Sequence, residues 1–179
     1  MNVFYNNAMS NRLDVIVAEK DGFTDCMLKL GAKKVFSIEN GSGQLAEKLK
    51  TDPRVISMEN TDIRQIKSLP EPAEFVTADV SFISLTHIIP NLKNLFGVRL
   101  KPEAGSGLLL VKPQFEAGRE YVKKGIVKDL RACENSVKKI CRCLEDNDFS
   151  VLGHVCSPIK GKEGNTEYFI YFERKLQEF

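Results

Sequence analysis

Several things are scarce in this chain, and each scarcity removes a class of protein. There is no tryptophan, and only two histidines occur among 179 residues. The five cysteines (Cys26, Cys133, Cys141, Cys143, Cys156) are odd in number and contain no Cys-x-x-Cys pair. Zinc centres need clustered Cys and His, and disulfide scaffolds need paired cysteines; no metal is expected, and reduced thiols in a cytosol are the simple reading. No apolar run reaches the ~18 residues of a membrane span. The start, Met1-Asn2-Val3-Phe4-Tyr5, lacks the basic and apolar regions of a signal peptide. A cytoplasmic location without a membrane span is the expectation. Net charge is scarce too, at +2 from 26 basic and 24 acidic residues.

What is present is an ordinary globular composition, 42% hydrophobic and 28% charged, long enough for one domain with a full core. The charges are unevenly placed. Residues 37–79 hold eight acids against five bases, and residues 93–131 hold nine bases against four acids. Such a basic segment suits a phosphate-rich partner, and equally a solvated lysine-rich surface.

Two segments stand out. Thr77-Ala78-Asp79-Val80-Ser81-Phe82-Ile83-Ser84-Leu85 and Leu110-Val111-Lys112-Pro113-Gln114-Phe115-Glu116 each contain an apolar run that stops at a charge. In a parallel α/β sheet such runs are buried strands whose carboxyl edge binds ligands. An acid and a lysine delivered there form a candidate active site; two strands with solvated tips and no chemistry would read the same way.

The rest of the chain supports the sheet. Strands are expected at residues 33–38, 55–58, 75–79 and 107–112, with helices at 24–31, 41–50, 84–96 and 132–146. Thr24 reads as an N-cap, Gly31 as a helix stop, and Pro90 as a kink. Residues 114–129 read as a long polar loop. Alternation ends with two strands, 150–156 and 166–172, that have no helix between them. The expected fold is α/β, a Rossmann-like, mostly parallel sheet closed by an antiparallel C-terminal hairpin, an ending typical of methyltransferases.

The order of short motifs adds a resemblance. Asp21-Gly22-Phe23-Thr24-Asp25, Gly31-Ala32-Lys33-Lys34-Val35-Phe36, Gly43-Gln44-Leu45-Ala46 and Asp52-Pro53-Arg54-Val55 are followed by the 79–85 segment, Val111 to Glu120, and Gly164-Asn165-Thr166-Glu167-Tyr168. From about Asp21 to Arg174 the chain resembles the haemolysin A (TlyA) family, whose catalytic domain is of the FtsJ type. The resemblance implies ribosomal RNA 2′-O-methylation with S-adenosylmethionine as cofactor and ribosomal RNA or a ribosomal subunit as partner. It carries the catalytic set onto Asp79, Lys112 and Glu167, with Lys112 as base or proton acceptor, Asp79 orienting it, and Glu167 on its far side. Cofactor residues would be Gly22, Phe23, Glu39, Asp62 and Asp79: Glu39 for the ribose hydroxyls, Asp62 for the adenine amino group. Tyr121, Lys123 and Lys124 would contact RNA.

The N-terminal end departs from the family pattern. Arg12-Leu13-Asp14-Val15 looks like the opening of the family's S4 RNA-binding domain, yet runs almost directly into Asp21. On that reading residues 1–20 are an S4-like remnant and 21–179 the methyltransferase domain. The first Rossmann strand and most of the glycine-rich cofactor loop would be missing, and cofactor binding would be weak. A catalytically impaired RNA-binding or ribosome-associated protein of the same fold is then the alternative function. Leu13 to Ala18 filling the first-strand slot is the other structural reading. A membrane-lytic activity, which the family name suggests, finds no obvious span or cationic membrane helix.

Overall fold

The structure is a computed structural model and describes residues 14–18, 21–96 and 105–175. These residues fall into two compact units. One comprises the described residues as far as Ala78 and from Asn91 to Ser106; the other comprises Asp79–Pro90 and those from Gly107 onward.

The first unit is a parallel sheet. Its strands are β1 (Asp14–Ala18), β2 (Lys34–Ile38), β3 (Val55–Met58) and β4 (Phe75–Ala78), in the order β3-β2-β1-β4. Val15 lies opposite both Val35 and Phe75, and Val35 opposite Val55. β2 and β4 are almost continuously buried, as parallel strands covered on both faces must be.

Residues 14–18 therefore fill the first-strand slot, at the centre of this sheet. The expectation of a missing first strand is corrected: residues 14–18 pair with β2 on one side and β4 on the other. The apolar run within Leu13 to Ala18 has the length of a strand; only its pairing with β2 and β4 decides its use. The remaining residues of the S4-like opening, 1–13 and 19–20, lie outside the described residues.

Helix α1 (Asp21–Lys29) follows β1 and packs on β1 and β2. It begins three residues before the expected cap. Thr24 is not an N-cap: it is fully buried inside the helix, with its hydroxyl unpartnered among the described residues. Gly31 does end the helix. Its φ is +96°, its N–H donates to Leu28 O at 3.2 Å, and Ala32 N–H donates to Met27 O at 3.0 Å. That double bond pattern needs a left-handed residue, which glycine adopts without a Cβ clash. The expected helix 41–50 shrinks to α2 (Glu47–Lys50).

In the expected helix 84–96 only a 3₁₀ turn, Leu85–His87, and the short α3 (Ile89–Leu92) form. Pro90 stands at the second position of α3, where its missing N–H would have had no helical partner. It thus begins a helix instead of kinking one.

The second unit contains β5 (Ser106–Val111), which starts at the boundary between the units, and the final pair, β8 (Phe149–Cys156) and β9 (Tyr168–Arg174). These three run in the order β5-β9-β8. β8 and β9 pair antiparallel, from Phe149 opposite Arg174 to Cys156 opposite Tyr168, with an irregularity between Val151 and Gly153. The C-terminal hairpin is as expected. Phe149 and Phe172 meet edge to face at 5.0 Å. Helix α5 (Leu130–Glu145) packs on both strands through Val137, Ile140 and Leu144. Asp129 caps it, accepting from Arg131 N at 2.8 Å and Ala132 N at 3.1 Å.

The long loop 114–129 is the largest departure in this unit. It contains the short helix α4 (Pro113–Glu116), a 3₁₀ turn (Arg119–Tyr121), and a two-stranded hairpin, β6 (Val122–Lys123) with β7 (Ile126–Val127). Lys124 and Gly125 make its turn with φ of 50° and 77°, the two positive values that match the twist of a tight hairpin.

Candidate active site

The second unit gathers four buried charged side chains. Asp79 is the residue after β4, and Lys112 the residue after β5. The two form an ion pair, with side chains 13% and 7% exposed. Lys112 Nζ also donates to Ser81 Oγ at 3.1 Å. Asp79 Oδ1 has no hydrogen-bond donor among the described residues apart from this ion-pair contact. A carboxylate so enclosed depends on the ammonium, because burying an unpaired charge is costly.

Glu167 is buried as well, but its side-chain partner is Gln114, not Lys112. Gln114 Nε2 donates to Glu167 Oε1 at 3.3 Å. Among the described residues Glu167 forms no ion pair with Lys112; it reaches the lysine's own segment two residues further on. Its carboxylate lies over Gly161, where a Cβ would come within 2.5 Å of Oε1. Glycine here gives the acid room. Gln114 Oε1 is buried without a partner among the described residues.

A third buried carboxylate, Glu116, carries no signal in the sequence pattern. The Glu116 side chain is 1% exposed. It accepts from Ser84 Oγ at 2.5 Å, Leu85 N at 2.7 Å and Lys139 Nζ at 2.9 Å. Lys139 also donates to Glu116 O at 3.1 Å. Glu116 thereby ties α4, which follows Lys112, to the turn that follows Asp79, and both to α5. Its place in the 110–116 run was visible, but no periodicity marks an acid that points inward from a one-turn helix. Phe82, 92% exposed with φ of 63°, stands on the same turn and meets Phe115 at 5.2 Å.

The first unit holds the residues expected at a cofactor. Glu39 follows β2; its Oε1 accepts from Gly41 N at 3.1 Å. Thr61 N donates to Glu39 O at 2.9 Å, so Asp62, the next residue, stands near the same carboxyl edge. Asp62 caps the turn Ile63–Gln65 through Arg64 N at 2.9 Å and holds the Arg64 guanidinium at 2.6 Å. That guanidinium holds the Asp62 carboxyl below the usual carboxylate range. Gly22 and Phe23 lie in the first turn of α1, and a Cβ at Gly22 would meet nothing within 4 Å. Gly22 thus offers open backbone after β1. Two carboxylates at the ends of adjacent parallel strands suit a ribose diol and an exocyclic amine, the donor set that a nucleoside cofactor presents.

Tyr121, Lys123 and Lys124 are exposed on the 3₁₀ turn and hairpin. Arg99 and Lys101 of the basic segment lie outside the described residues. No helix among the described residues is long and apolar enough to cross a membrane. All five cysteines are free thiols; burial pushes those of Cys26, Cys133, Cys141 and Cys143 up.

The fold is that of S-adenosylmethionine-dependent methyltransferases. Magnesium protoporphyrin IX methyltransferase (ChlM) from Synechocystis shares it at a TM-score of 0.60 and 15% identity, over 97% of this chain and 78% of that one. A candidate hemolysin from Lactococcus lactis is far nearer, with a TM-score of 0.85 and 34% identity over 96% of this chain and 82% of that one. The chain belongs to the FtsJ-like methyltransferase family, whose sequence pattern it matches over residues 12–174. It is 43% identical over 157 residues to the candidate rRNA methyltransferase YqxC of Bacillus subtilis, covering 84% of this chain and 53% of that protein. Hemolysin A of Brachyspira hyodysenteriae is 39% identical, with 88% and 65% covered. The 16S/23S rRNA (cytidine-2′-O)-methyltransferase TlyA of Mycobacterium tuberculosis is 36% identical, with 86% and 57% covered. The chain thus spans between about half and two thirds of the length of these relatives.

Proposed function

We propose that this chain is the catalytic part of an S-adenosylmethionine-dependent RNA 2′-O-methyltransferase that acts on ribosomal RNA in the cytoplasm. The observation that carries the reading is the buried Lys112–Asp79 ion pair, formed by the residues that directly follow two strands. Family membership gives the reaction class, and the names of the relatives give the ribosomal substrate.

S-adenosylmethionine supplies an electrophilic methyl group when bound. The chain's own residues have the harder half of the task, because a ribose 2′-hydroxyl is a weak nucleophile. Lys112 faces the hydroxyl and takes or stabilises its proton as the oxygen attacks. Asp79 and Ser81 fix the position of Nζ, so the lysine does not have to be ordered during the reaction. Glu167, held by Gln114, places a second carboxylate behind the same segment. Glu39 would hold the ribose hydroxyls of the cofactor and Asp62 its adenine amino group, with the open backbone of Gly22 and Phe23 as a further contact; Asp79 would serve the methyl group. Tyr121 stacks on RNA, and Lys123 and Lys124 meet phosphates.

The test is tritiated methyl transfer to ribosomal RNA, with the labelled nucleotide digested to locate the methyl group, and calorimetric titration with S-adenosylmethionine in parallel. The expected product is a 2′-O-methylated nucleoside. Cofactor binding without transfer to any ribosomal RNA would leave the methyltransferase fold without this function.

A further inference from the structure

We propose that two basic segments, residues 121–128 and 160–162, form one surface for the phosphate backbone of single-stranded RNA, and that the buried side chain of Asn165 holds them together. The proposal rests on the RNA reading above and adds the surface that would grip the substrate away from the reacting ribose.

The first observation is uncompensated charge. Lys123, Lys124, Lys128, Lys160 and Lys162 are all exposed. Among the described residues none of them has an acidic partner, whereas Lys29, Lys34, Lys48 and Lys50 all do. Neither segment contains an acid, and two of the three acids that flank them, Asp129 and Glu120 but not the exposed Glu163, are turned to other contacts. Asp129 accepts from the backbone of Arg131 and Ala132. Glu120 folds over Gly118, where a Cβ would come within 2.4 Å of its carboxylate. Lys160 donates once, to Thr166 Oγ1 at 2.9 Å, and keeps two further donors.

The second observation is the staple. Asn165 is 2% exposed. Its Oδ1 accepts from Val127 N at 3.0 Å and its Nδ2 donates to Gly125 O at 2.8 Å, so one amide serves both sides of Ile126 as a neighbouring strand would. Its own carbonyl accepts from Gly161 N at 2.9 Å. The hairpin carrying Lys123 and Lys124 is therefore fixed to the turn carrying Lys160 and Lys162 by a residue two positions before Glu167.

The third is shape. A groove of about 440 Å³ runs along the hairpin, with Tyr121, Lys123, Lys124 and Lys128 in its walls beside the flanking acids Glu120 and Asp129. Tyr121 is 43% exposed, so a ring face is open beside the lysines. Lys124 sits at a turn position with φ of 50° that glycine or asparagine would fill with less strain. A row of ammonium groups with an interleaved aromatic ring is the pattern that single strands use, phosphates on the charges and a base on the ring.

The experiment is fluorescence anisotropy with a short fluorescein-labelled single-stranded RNA, from about 50 to 200 mM salt. Each phosphate neutralised on a single strand adds about 0.7 to the slope of log affinity against log salt. Lys123→Gln/Lys124→Gln/Lys128→Gln should lower the slope by about two, and Lys160→Gln/Lys162→Gln by about one. Tyr121→Ala should weaken binding roughly five-fold or more with the slope unchanged. Asn165→Ala should weaken binding several-fold with all five lysines in place. Should that variant lose its circular dichroism, the lysine variants carry the test, since exposed Lys→Gln changes leave the core untouched.

Slopes indistinguishable from those of Lys33→Gln/Lys67→Gln, a control pair in the first unit, would overturn the proposal. So would lysine variants that bind RNA normally but no longer bind phosphatidylserine vesicles. Methyl transfer separates the two readings. Normal transfer with an unchanged slope breaks the surface and spares the enzyme; a lowered slope in a chain that never transfers methyl breaks the enzyme and spares the surface.

Discussion

In the first unit the ion pairs are open to water, whether between near neighbours, as Lys29 with Asp25 at 2.5 Å, Arg54 with Asp52 at 2.7 Å and Arg64 with Asp62 at 2.6 Å, or between separate segments, as Lys48 with Asp25 at 3.1 Å and Lys34 with Glu71. In the second unit they join distant segments and are buried on at least one side: Lys112 with Asp79, and Lys139 with a Glu116 that is 1% exposed. Exposed pairs gain little over hydration and contribute little stability. Buried pairs gain little on balance either, but breaking one strands the other partner. The contrast indicates which ions position chemistry. Charges paired at the surface stay open to water, whereas the enclosed ones of the second unit hold apart-lying turns in a fixed relation.

The sharpest break of this comparison is removal of Lys112. Lys112→Ala should cut methyl transfer by roughly 10²–10⁴, with cofactor affinity within a few-fold, because Glu39 and Asp62 are left in place. Lys112→Arg should not rescue, since a guanidinium stays protonated. Near-full activity in the arginine variant would reduce Lys112 to a fixed charge.

Next in size is Glu116→Ala. Leu85 N–H and the Ser84 hydroxyl would lose their acceptor, at a cost of about 2–3 kcal/mol in urea unfolding. Lys139 is 43% exposed and can turn to water, so its freed charge adds little. A loss below about 0.5 kcal/mol would place Glu116 with the surface acids of the first unit. Gly161→Ala is a smaller and more local test. The new methyl would meet Glu167 Oε1, and the flexible acid would swing away from Gln114. Methyl transfer should fall by about ten-fold, the scale of a misplaced positioning group, with the unfolding midpoint nearly unchanged. An unaffected rate would remove Glu167 from the catalytic set.

The smallest effect belongs to the first unit. The Arg54 guanidinium beside Asp52 holds its carboxyl at about 2. A depressed folded value means that the pair stabilises the fold above the unfolded value of ~3.9, and that this is lost as pH falls towards about 2. Urea midpoints of the protein and of Asp52→Asn should differ slightly at neutral pH and converge across that window. A gap that persists at the acid end would mean that Asp52 acts through something other than its charge.

The sequence was most legible where a feature is local. Gly31 as a helix stop, the strands ending at Glu39, Asp79 and Lys112, the amphipathic face of α5 and the final hairpin all follow from residue type and period. It was least legible where partners are remote. Val15-Ile16-Val17 reads as readily as a domain opening as it does a central strand, because so short an apolar run carries no record of what pairs on either side. Pro90 signals an interruption without saying whether a helix bends or begins there. Lys124-Gly125 lacks the usual asparagine, so its sequence does not mark a tight turn within the 114–129 segment.

The sequence by itself determined the class of fold and the two charges at the strand ends, since alternation and apolar runs that stop at a charge are properties of the chain. Only the tertiary structure decided what those charges touch. Lys112 and Asp79 are 33 positions apart, Glu116 and Lys139 are 23, and Asn165 reaches back 40 to Gly125. Contacts of that separation depend on how closed loops stack, and burial then selects among candidate partners, because an enclosed charge or amide without one is too costly to keep.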